Sequence, residues 1–207
     1  MSSIAPLPLS DRPGPGRPRE FDLDDALRDA VEVFRVRGYH GTSVQDLTEG
    51  TGLARGSLYK AFHDKRTLFM AGLDQTIAAA LQRIDNELTA PGSAREAIRT
   101  TLMSYARRAA STEGRRGCIM TTAAMELVPE DVEISAVITR MFHRIEDMFA
   151  AAVIRGQAAG EIPADHDHRA IAKQLLCTVQ GFRVLGKTGL SDEDAAAIVG
   201  QTLRLLS

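Results

Sequence analysis

Two stretches of this sequence carry side chains suited to metal or thiol chemistry. Cys118 follows Arg115 and Arg116 and precedes a predicted helix, and both positive charge and a helix N-terminus favour a reactive thiolate. The alternative, which we favour, is a small packing residue. Asp165-His166-Asp167-His168 offers metal-ligand types, but two helix steps of about 100° point the two imidazoles about 200° apart. We therefore predict a helix cap here and no metal site.

No nucleotide-binding or hydrolase motif stands between a strand and a helix, so the sequence predicts no enzyme and no cofactor. A rival interpretation is an all-α enzyme with Cys118 as its nucleophile, which needs a histidine base within hydrogen-bond reach. None lies near Cys118 in the sequence, although His143 is a candidate in space.

The composition predicts an all-α protein of the reducing, cytoplasmic compartment. The chain has 207 residues, 25 Lys and Arg against 27 Asp and Glu, and only two cysteines, Cys118 and Cys177. Aromatic residues make up 5% and alanine-rich segments recur with helical spacing, whereas strands favour alternating β-branched and aromatic residues. No apolar run approaches the roughly 18 residues of a membrane span, so we expect no membrane partner.

The pattern of caps and helix breakers predicts about nine helices in two domains. Prolines make residues 1–19 a flexible arm, whose Arg17 and Arg19 either insert into a minor groove or contact phosphate, or belong to a solubilising tail. Residues 20–66 form a three-helix N-terminal domain and residues 67–207 a larger helical one. The helix over 64–89 connects them, and residues 111–117 are a loop.

Two short helices in the N-terminal domain have the helix-turn-helix pattern. The first begins at Thr42, with Gln45 completing a capping box, and ends near Gly50. The second runs from about Ala54 to Ala61. Two helices of about two turns, joined by a tight glycine-containing turn, are typical of this motif.

The sequences GTSVQDL at positions 41–47 and GLARGSLYKAFHDKRTLF at positions 52–69 resemble the DNA-binding domain of the TetR family of transcriptional regulators. The resemblance extends from about Phe21 to Phe69. It implies that Arg55 reads a guanine, that Gly56 admits a phosphate close to the helix, and that the other matching residues contact phosphate or bases. The DNA-contacting residues, with the two of the arm, are Arg17, Arg19, Thr42, Arg55, Gly56, Ser57, Tyr59, Lys60 and Lys65. Ala61 departs from the family, which commonly has histidine there, and so removes one phosphate contact.

The second domain carries a weaker resemblance, at Arg116-Gly117-Cys118-Ile119-Met120. This segment is similar to a TetR subgroup with a Gly-Cys-aliphatic motif. The family architecture implies a ligand pocket lined by flexible apolar groups with a few polar ones. The candidates are Met103, Tyr105, Cys118, Met120, Met125, Phe142, Phe149, Gln180 and Phe182.

The resemblance also implies a homodimer joined through the last two long helices. We expect the interface at Ile171, Leu175, Val179, Phe182, Ile198, Thr202 and Leu205. The function this implies is a repressor released from a near-palindromic double-stranded operator by an unidentified small-molecule effector. The alternative within the class is a sensor of electrophiles or oxidants that acts through Cys118.

Overall fold

The computed structural model describes residues 22–207, and the regular secondary structure in that range is helical. Its helices are α1 (Leu23–Arg37), α2 (Val44–Thr51), α3 (Arg55–Phe62), α4 (Lys65–Leu88), α5 (Ala94–Ala110), α6 (Thr112–Arg116), α7 (Ile119–Leu127), α8 (Val132–Ala158), α9 (His168–Leu185) and α10 (Asp192–Leu203). Short 3₁₀ turns follow α9 and α10 at Gly186–Thr188 and Arg204–Leu206. The all-α prediction is confirmed for the described part of the chain. Within it, nine helices have eight or more residues, and α6 is a single turn.

The caps of the first helices follow the sequence, with one shift. Asp22 accepts a hydrogen bond from the backbone N–H of Asp24 and begins α1. The capping box of α2 consists of Ser43 and Asp46, so the predicted box of Thr42 and Gln45 is wrong by one residue. The hydroxyl and the N–H of Ser43 both donate to Asp46, and these bonds lower the pKa of its carboxyl group.

An aromatic cluster holds the N-terminal domain together and continues into α4. The rings of Phe34 and Phe69 meet edge to face with centroids 5.0 Å apart, and Tyr39 lies 4.9 Å from Phe69. Leu47 from α2 and Leu58 from α3 are buried in the same core. Because α4 supplies Phe69 here and Ile84 further along, one rigid helix belongs to both halves of the protein.

The second half is a bundle in which α8 packs on α9 and on α5, and α10 packs on α5. Phe149 of α8 and the stripe of Leu175, Val179 and Phe182 on α9 are its buried centre. Asp167 accepts from the N–H groups of Arg169 and Ala170, so it caps α9 as predicted. Among the residues described, no helix has the length and apolarity needed to cross a membrane.

The sequence predicts a loop over residues 111–117, and that prediction is wrong. Ser111 caps a one-turn helix by accepting a hydrogen bond from the N–H of Glu113. Arg35 of α1 then donates to the carbonyl groups of Glu113 and Gly117. Contacts from a helix some 80 positions earlier therefore order this turn. Such long-range contacts cannot be predicted from local sequence patterns.

Candidate nucleic-acid interface and regulatory clefts

The helix α3 presents a polar, exposed face. It begins after Gly52, whose φ of 67° is the left-handed conformation that glycine adopts without a steric penalty. Ala54 at the N-cap has no side chain that can accept a hydrogen bond, so the first N–H groups of α3 stay available to an anion. Arg55 and Lys60 are exposed, while Leu58 anchors the opposite face in the core.

Arg55, Gly56 and Tyr59 lie together at the start of α3. The guanidinium carbon of Arg55 lies 5.5 Å from the centroid of the Tyr59 ring, within the range of a cation–π contact. A side chain at the exposed Gly56 would meet nothing within 4 Å in the protein, so its absence leaves room for an approaching backbone. The half-buried Ser57 completes this face. The two arm residues, Arg17 and Arg19, lie outside the described residues.

Two residues predicted to contact phosphate instead form hydrogen bonds within the protein. Thr42 is 2% exposed and its hydroxyl donates to the carbonyl oxygen of Gly38, which corrects its assignment as a phosphate donor. Lys65 is half-buried, and its ammonium group donates to the carbonyl groups of Tyr39 at 2.9 Å and Thr42 at 3.0 Å. It also lies 4.4 Å from the centroid of the Tyr39 ring. Its contacts therefore hold the α1–α2 connection in place.

Charged contacts tie the N-terminal domain to the bundle. The guanidinium of Arg66, in the first turn of α4, bonds both Asp131 and Glu133 at the start of α8. Hydrogen bonds from Arg66 are the main cause that lowers the pKa of Asp131 to about 2. The carboxylate of Glu126 on α7 accepts from the N–H of His40 at 3.0 Å. The position of the helix-turn-helix is thus coupled to α7 and α8.

Two clefts lie between the helices of the bundle and α1. The first, which we call the arginine cleft, has a volume of about 410 Å³ and is lined by residues that include Glu32, Arg35, Arg83, Cys118, Met120 and Arg183. The second, the α7 cleft, has a volume of about 250 Å³ and is lined by residues that include Gly38, Cys118, Thr121, Met125, Glu126 and Arg183. Cys118 caps α7 without a side-chain hydrogen bond, is 4% exposed, and contributes to both clefts together with Arg183.

The predicted pocket residues divide into two groups. Cys118, Met120 and Met125 line these clefts, and Tyr105 and Phe182 lie at a smaller hollow beside them. Met125 lines the α7 cleft although its side chain is 79% exposed. The remaining four candidates line none of these three hollows. Phe149 is in the core, Met103 and Phe142 pack against it, and Gln180 is half-buried. Helical periodicity selects buried side chains, and it does not distinguish a cleft wall from solid core.

The sequence interpretation missed the arginines of the arginine cleft. Arg83 lies on α4 three residues after the buried Ala80, and Arg183 follows the buried Phe182 on α9. Both lie over the ring of Tyr105, with guanidinium carbons 5.6 Å and 4.9 Å from its centroid. An arginine adjoining an apolar helical stripe is the signal that identifies such a position.

Most residues of the predicted dimer face are buried within a single chain. Ile171, Leu175, Val179 and Phe182 are at most 8% exposed within a single chain, because they pack against the other helices of their own bundle. On α10, Thr202 is buried with its hydroxyl donating to Ile198, which is half-buried. Of the predicted face, Leu205 is the most exposed residue at 44%, and Ile198 is partly exposed.

In the described part of the chain, every element is helical, and one long helix joins an exposed helix-turn-helix to a separate bundle. This arrangement is typical of two-domain DNA-binding regulators. Residues 26–71 match the family described as bacterial regulatory proteins, tetR family, and residues 92–199 match a tetracyclin repressor-like C-terminal domain. This chain belongs to the TetR family of transcriptional regulators, which are DNA-binding proteins and not enzymes. Consistently, His143 is exposed on α8 and lines neither cleft that Cys118 contributes to.

Similar proteins and solved structures cover between 77% and 93% of the chain. The uncharacterized HTH-type regulator YezE of Bacillus subtilis (strain 168) is 35% identical over 77% of this chain and 83% of its own length. The HTH-type transcriptional repressor ComR of Escherichia coli (strain K12) is 32% identical over 92% of this chain and 91% of its own. A cysteine mutant of the TetR family regulator CifR, complexed with 26-bp operator DNA, superposes with a TM-score of 0.82. It is 32% identical and covers 93% of this chain and 100% of its own.

Proposed function

We propose that this chain is a dimeric repressor that binds a near-palindromic operator and releases it when a small-molecule effector occupies the bundle. The observation that carries this proposal is the coupling of the helix-turn-helix to α7 and α8 through Arg66 and Glu126. A change in the bundle then moves the recognition helix with it. The similarity to ComR, which is named as a repressor, supports repression and not activation as the proposed effect on transcription.

The proposed DNA contacts follow from what α3 exposes. Arg55 reads a guanine edge, and Lys60, Ser57 and Tyr59 contact the backbone or neighbouring bases, while Gly56 allows close approach. Lys65 positions the loop before α2 through its two carbonyl contacts. Arg17 and Arg19 remain proposed arm contacts to the minor groove or phosphate.

The proposed dimer interface is the outward face of α9 and α10. Cys177 and Val184 on α9 are exposed, and Gly181 lies between them on the same face. Ala197 and Gly200 are exposed on α10. A side chain at Gly181 or at Gly200 would meet nothing within 4 Å in the same chain. Small and apolar residues on adjacent helices allow the close approach that a four-helix interface between two copies needs. The exposed Leu205 extends this face.

The test begins with the operator. Selection of bound sequences from random duplexes yields the site, and fluorescence anisotropy then measures the affinity of the full chain for it. We expect two half-sites related by a dyad and spaced by about one helical turn. A single asymmetric site, bound with equal affinity by a monomer, contradicts the proposal.

The alternative signal is chemical modification of Cys118, in keeping with the subgroup that has a Gly-Cys-aliphatic motif. The observation that favours it is the position of Cys118 in both clefts, next to Arg183. A maleimide titration with peptide mapping, followed in parallel by operator binding, tests it. Release of DNA that tracks labelling of Cys118, and that is lost in Cys118→Ser, supports the thiol signal. An unchanged response of Cys118→Ser to effectors leaves reversible binding as the signal.

A further inference from the structure

The arginine cleft contains guanidinium groups that no carboxylate neutralises. Arg83 and Arg183 both lie over the Tyr105 ring, and neither takes part in an ion pair among the described residues. The acidic residues of the cleft are committed elsewhere. Glu32 pairs with Arg35 at 2.6 Å, and Glu113 lies 3.8 Å from both Arg35 and Arg108.

Arg83 is the arginine of this cleft that has buried hydrogen-bond donors without an acceptor. Its Nε and one terminal nitrogen are buried and have no hydrogen-bond partner in the described part of the chain. Arg28, which lines the same cleft, is exposed and bonded to Asp25 at 2.7 Å. A buried guanidinium without partners costs free energy, because it gives up water and gains no hydrogen bond in return.

A neighbouring carboxylate does not account for Arg83. Glu87, one turn further along α4, has a buried and unpartnered carboxylate oxygen of its own. It forms no ion pair with Arg83 and does not line the arginine cleft. The lining therefore holds five arginines and two glutamates, and those glutamates are already paired, which leaves an excess of positive charge facing the cleft.

The rest of the lining is apolar and the space is of ligand size. Val31, Ala79, Ile119 and Met120 contribute hydrocarbon walls beside the guanidinium groups. The volume of about 410 Å³ lies within the range of small-molecule sites, about 300–1,000 Å³. A pocket with cationic groups and apolar walls is complementary to a molecule that has an acid group and a hydrocarbon part.

We infer that the arginine cleft binds an organic anion, whose acid group is held by Arg83 and Arg183 beside Tyr105 and whose hydrocarbon part lies against Ile119 and Met120. Guanidinium groups bind carboxylate and phosphonate groups through paired hydrogen bonds, and the anion satisfies the free donors of Arg83. This inference rests on the proposed function, for which it names the chemical class of the effector. The cleft reaches α1 through Glu32 and Arg35, so an occupant contacts the DNA-binding domain directly.

The binding test uses the full chain and three simple probes. Octanoate and octylphosphonate supply the acid group on a hydrocarbon chain, and octanamide is the neutral counterpart of octanoate. In calorimetry, we expect both acids to bind and the amide to bind at least about tenfold more weakly. Arg83→Met and Arg183→Met each weaken the acids about tenfold or more. The control Arg99→Met, at an exposed arginine outside the cleft that pairs with Glu96, leaves them unchanged. Equal binding of the amide, or no binding of either acid, overturns the inference.

A second measurement needs no ligand at all. Since the unpartnered Arg83 is costly in the empty protein, Arg83→Met raises the melting temperature by about 2–4 °C, while Arg99→Met does not. A lower melting temperature for Arg83→Met identifies the arginine as structural and overturns the inference. Inorganic phosphate at the same concentration tests whether a free ion is sufficient. If phosphate binds as tightly as the two acids, the cleft does not recognise a hydrocarbon part and the proposal of an organic anion is overturned.

Operator binding in the same samples separates the two proposals. If the acids bind through Arg83 and DNA is retained, the anion site stands and release by an effector is contradicted. If the chain binds its operator as a dimer and none of the probes binds, the repressor proposal stands and the anion site is overturned.

Discussion

Arg55 is the side chain on which we expect sequence selectivity to depend. Arg55→Ala should relax the preference at one base pair in each half-site, at a cost of about 1–3 kcal/mol, because it removes a bidentate contact to a base edge. Tyr59→Phe is the matched control, since it keeps the ring 5.5 Å from the Arg55 guanidinium and removes only the hydroxyl. Phosphate contacts carry no sequence information, so we expect Tyr59→Phe to weaken every duplex alike. Competition between specific and random duplexes measures both, and a uniform loss for Arg55→Ala contradicts base reading.

Variants of Lys65 and Lys60 distinguish a lysine that holds the loop before α2 in place from a lysine that contacts DNA directly. Lys65→Met leaves the carbonyl groups of Tyr39 and Thr42 without their donor, so we expect it to lower the free energy of unfolding by about 1–3 kcal/mol and to weaken DNA binding. Lys60→Met, at an exposed position, should weaken DNA binding with an unchanged melting temperature. Thermal melts measure the stability of both variants, and fluorescence anisotropy measures their affinity for DNA. Normal stability with lost DNA binding in Lys65→Met shows a phosphate contact instead.

At the scale of elements, the contact between the start of α4 and the start of α8 predicts a pH dependence. Unfolded aspartate titrates near pH 3.9, and the hydrogen bonds from Arg66 lower the pKa of Asp131 to about 2 in the folded protein. The stabilisation from Asp131 is therefore fully present above about pH 4 and is lost as the pH falls towards 2.

Asp131→Asn isolates this effect, because the amide oxygen can still cap α8 at the N–H of Ile134. We expect the variant to be less stable at pH 7 and to lose less stability than the parent between pH 4 and 2. Denaturant titrations at several pH values measure this difference. Equal acid slopes for the two proteins contradict a stabilising pair between Arg66 and Asp131. Arg99→Met, at an exposed pair with Glu96, is the control for a surface ion pair.

At the scale of the whole molecule, two sets of variants separate the interface from the core. Gly181→Arg and Gly200→Glu place large charged groups on the outward faces of α9 and α10, so we expect monomers with native helicity and weakened operator binding. Leu175→Arg instead buries an unpaired charge where the side chain is 0% exposed in its own chain. We expect that variant to lose its fold.

Sedimentation and circular dichroism distinguish these outcomes. Dimers that persist in both glycine variants rule out the outward faces of α9 and α10 as the interface. A folded monomer from Leu175→Arg would restore the buried stripe as the contact between copies, against its burial in this structure.

The sequence by itself determined the helices and the family. Local signals define these features: Asp64 caps α4, Ser191 caps α10, and Gly52 forms the turn before α3. These are contacts between residues a few positions apart, and apolar residues at helical spacing mark the faces that become buried. The residues exposed on α3 were predicted for the same reason, since a short helix with one buried anchor at Leu58 presents the rest to solvent.

Only the tertiary structure decided what each buried or charged residue contacts. The stripe of Leu175 and Phe182 turns inward because α8 and α5 cover it, and periodicity is the same for a core and an interface. Lys65 became a positioning residue through carbonyl groups more than 20 positions away. The arginine cleft joins Arg83 and Arg183 across 100 positions at Tyr105. Such sites depend on long-range packing and on which charges find partners, and neither is encoded in local spacing.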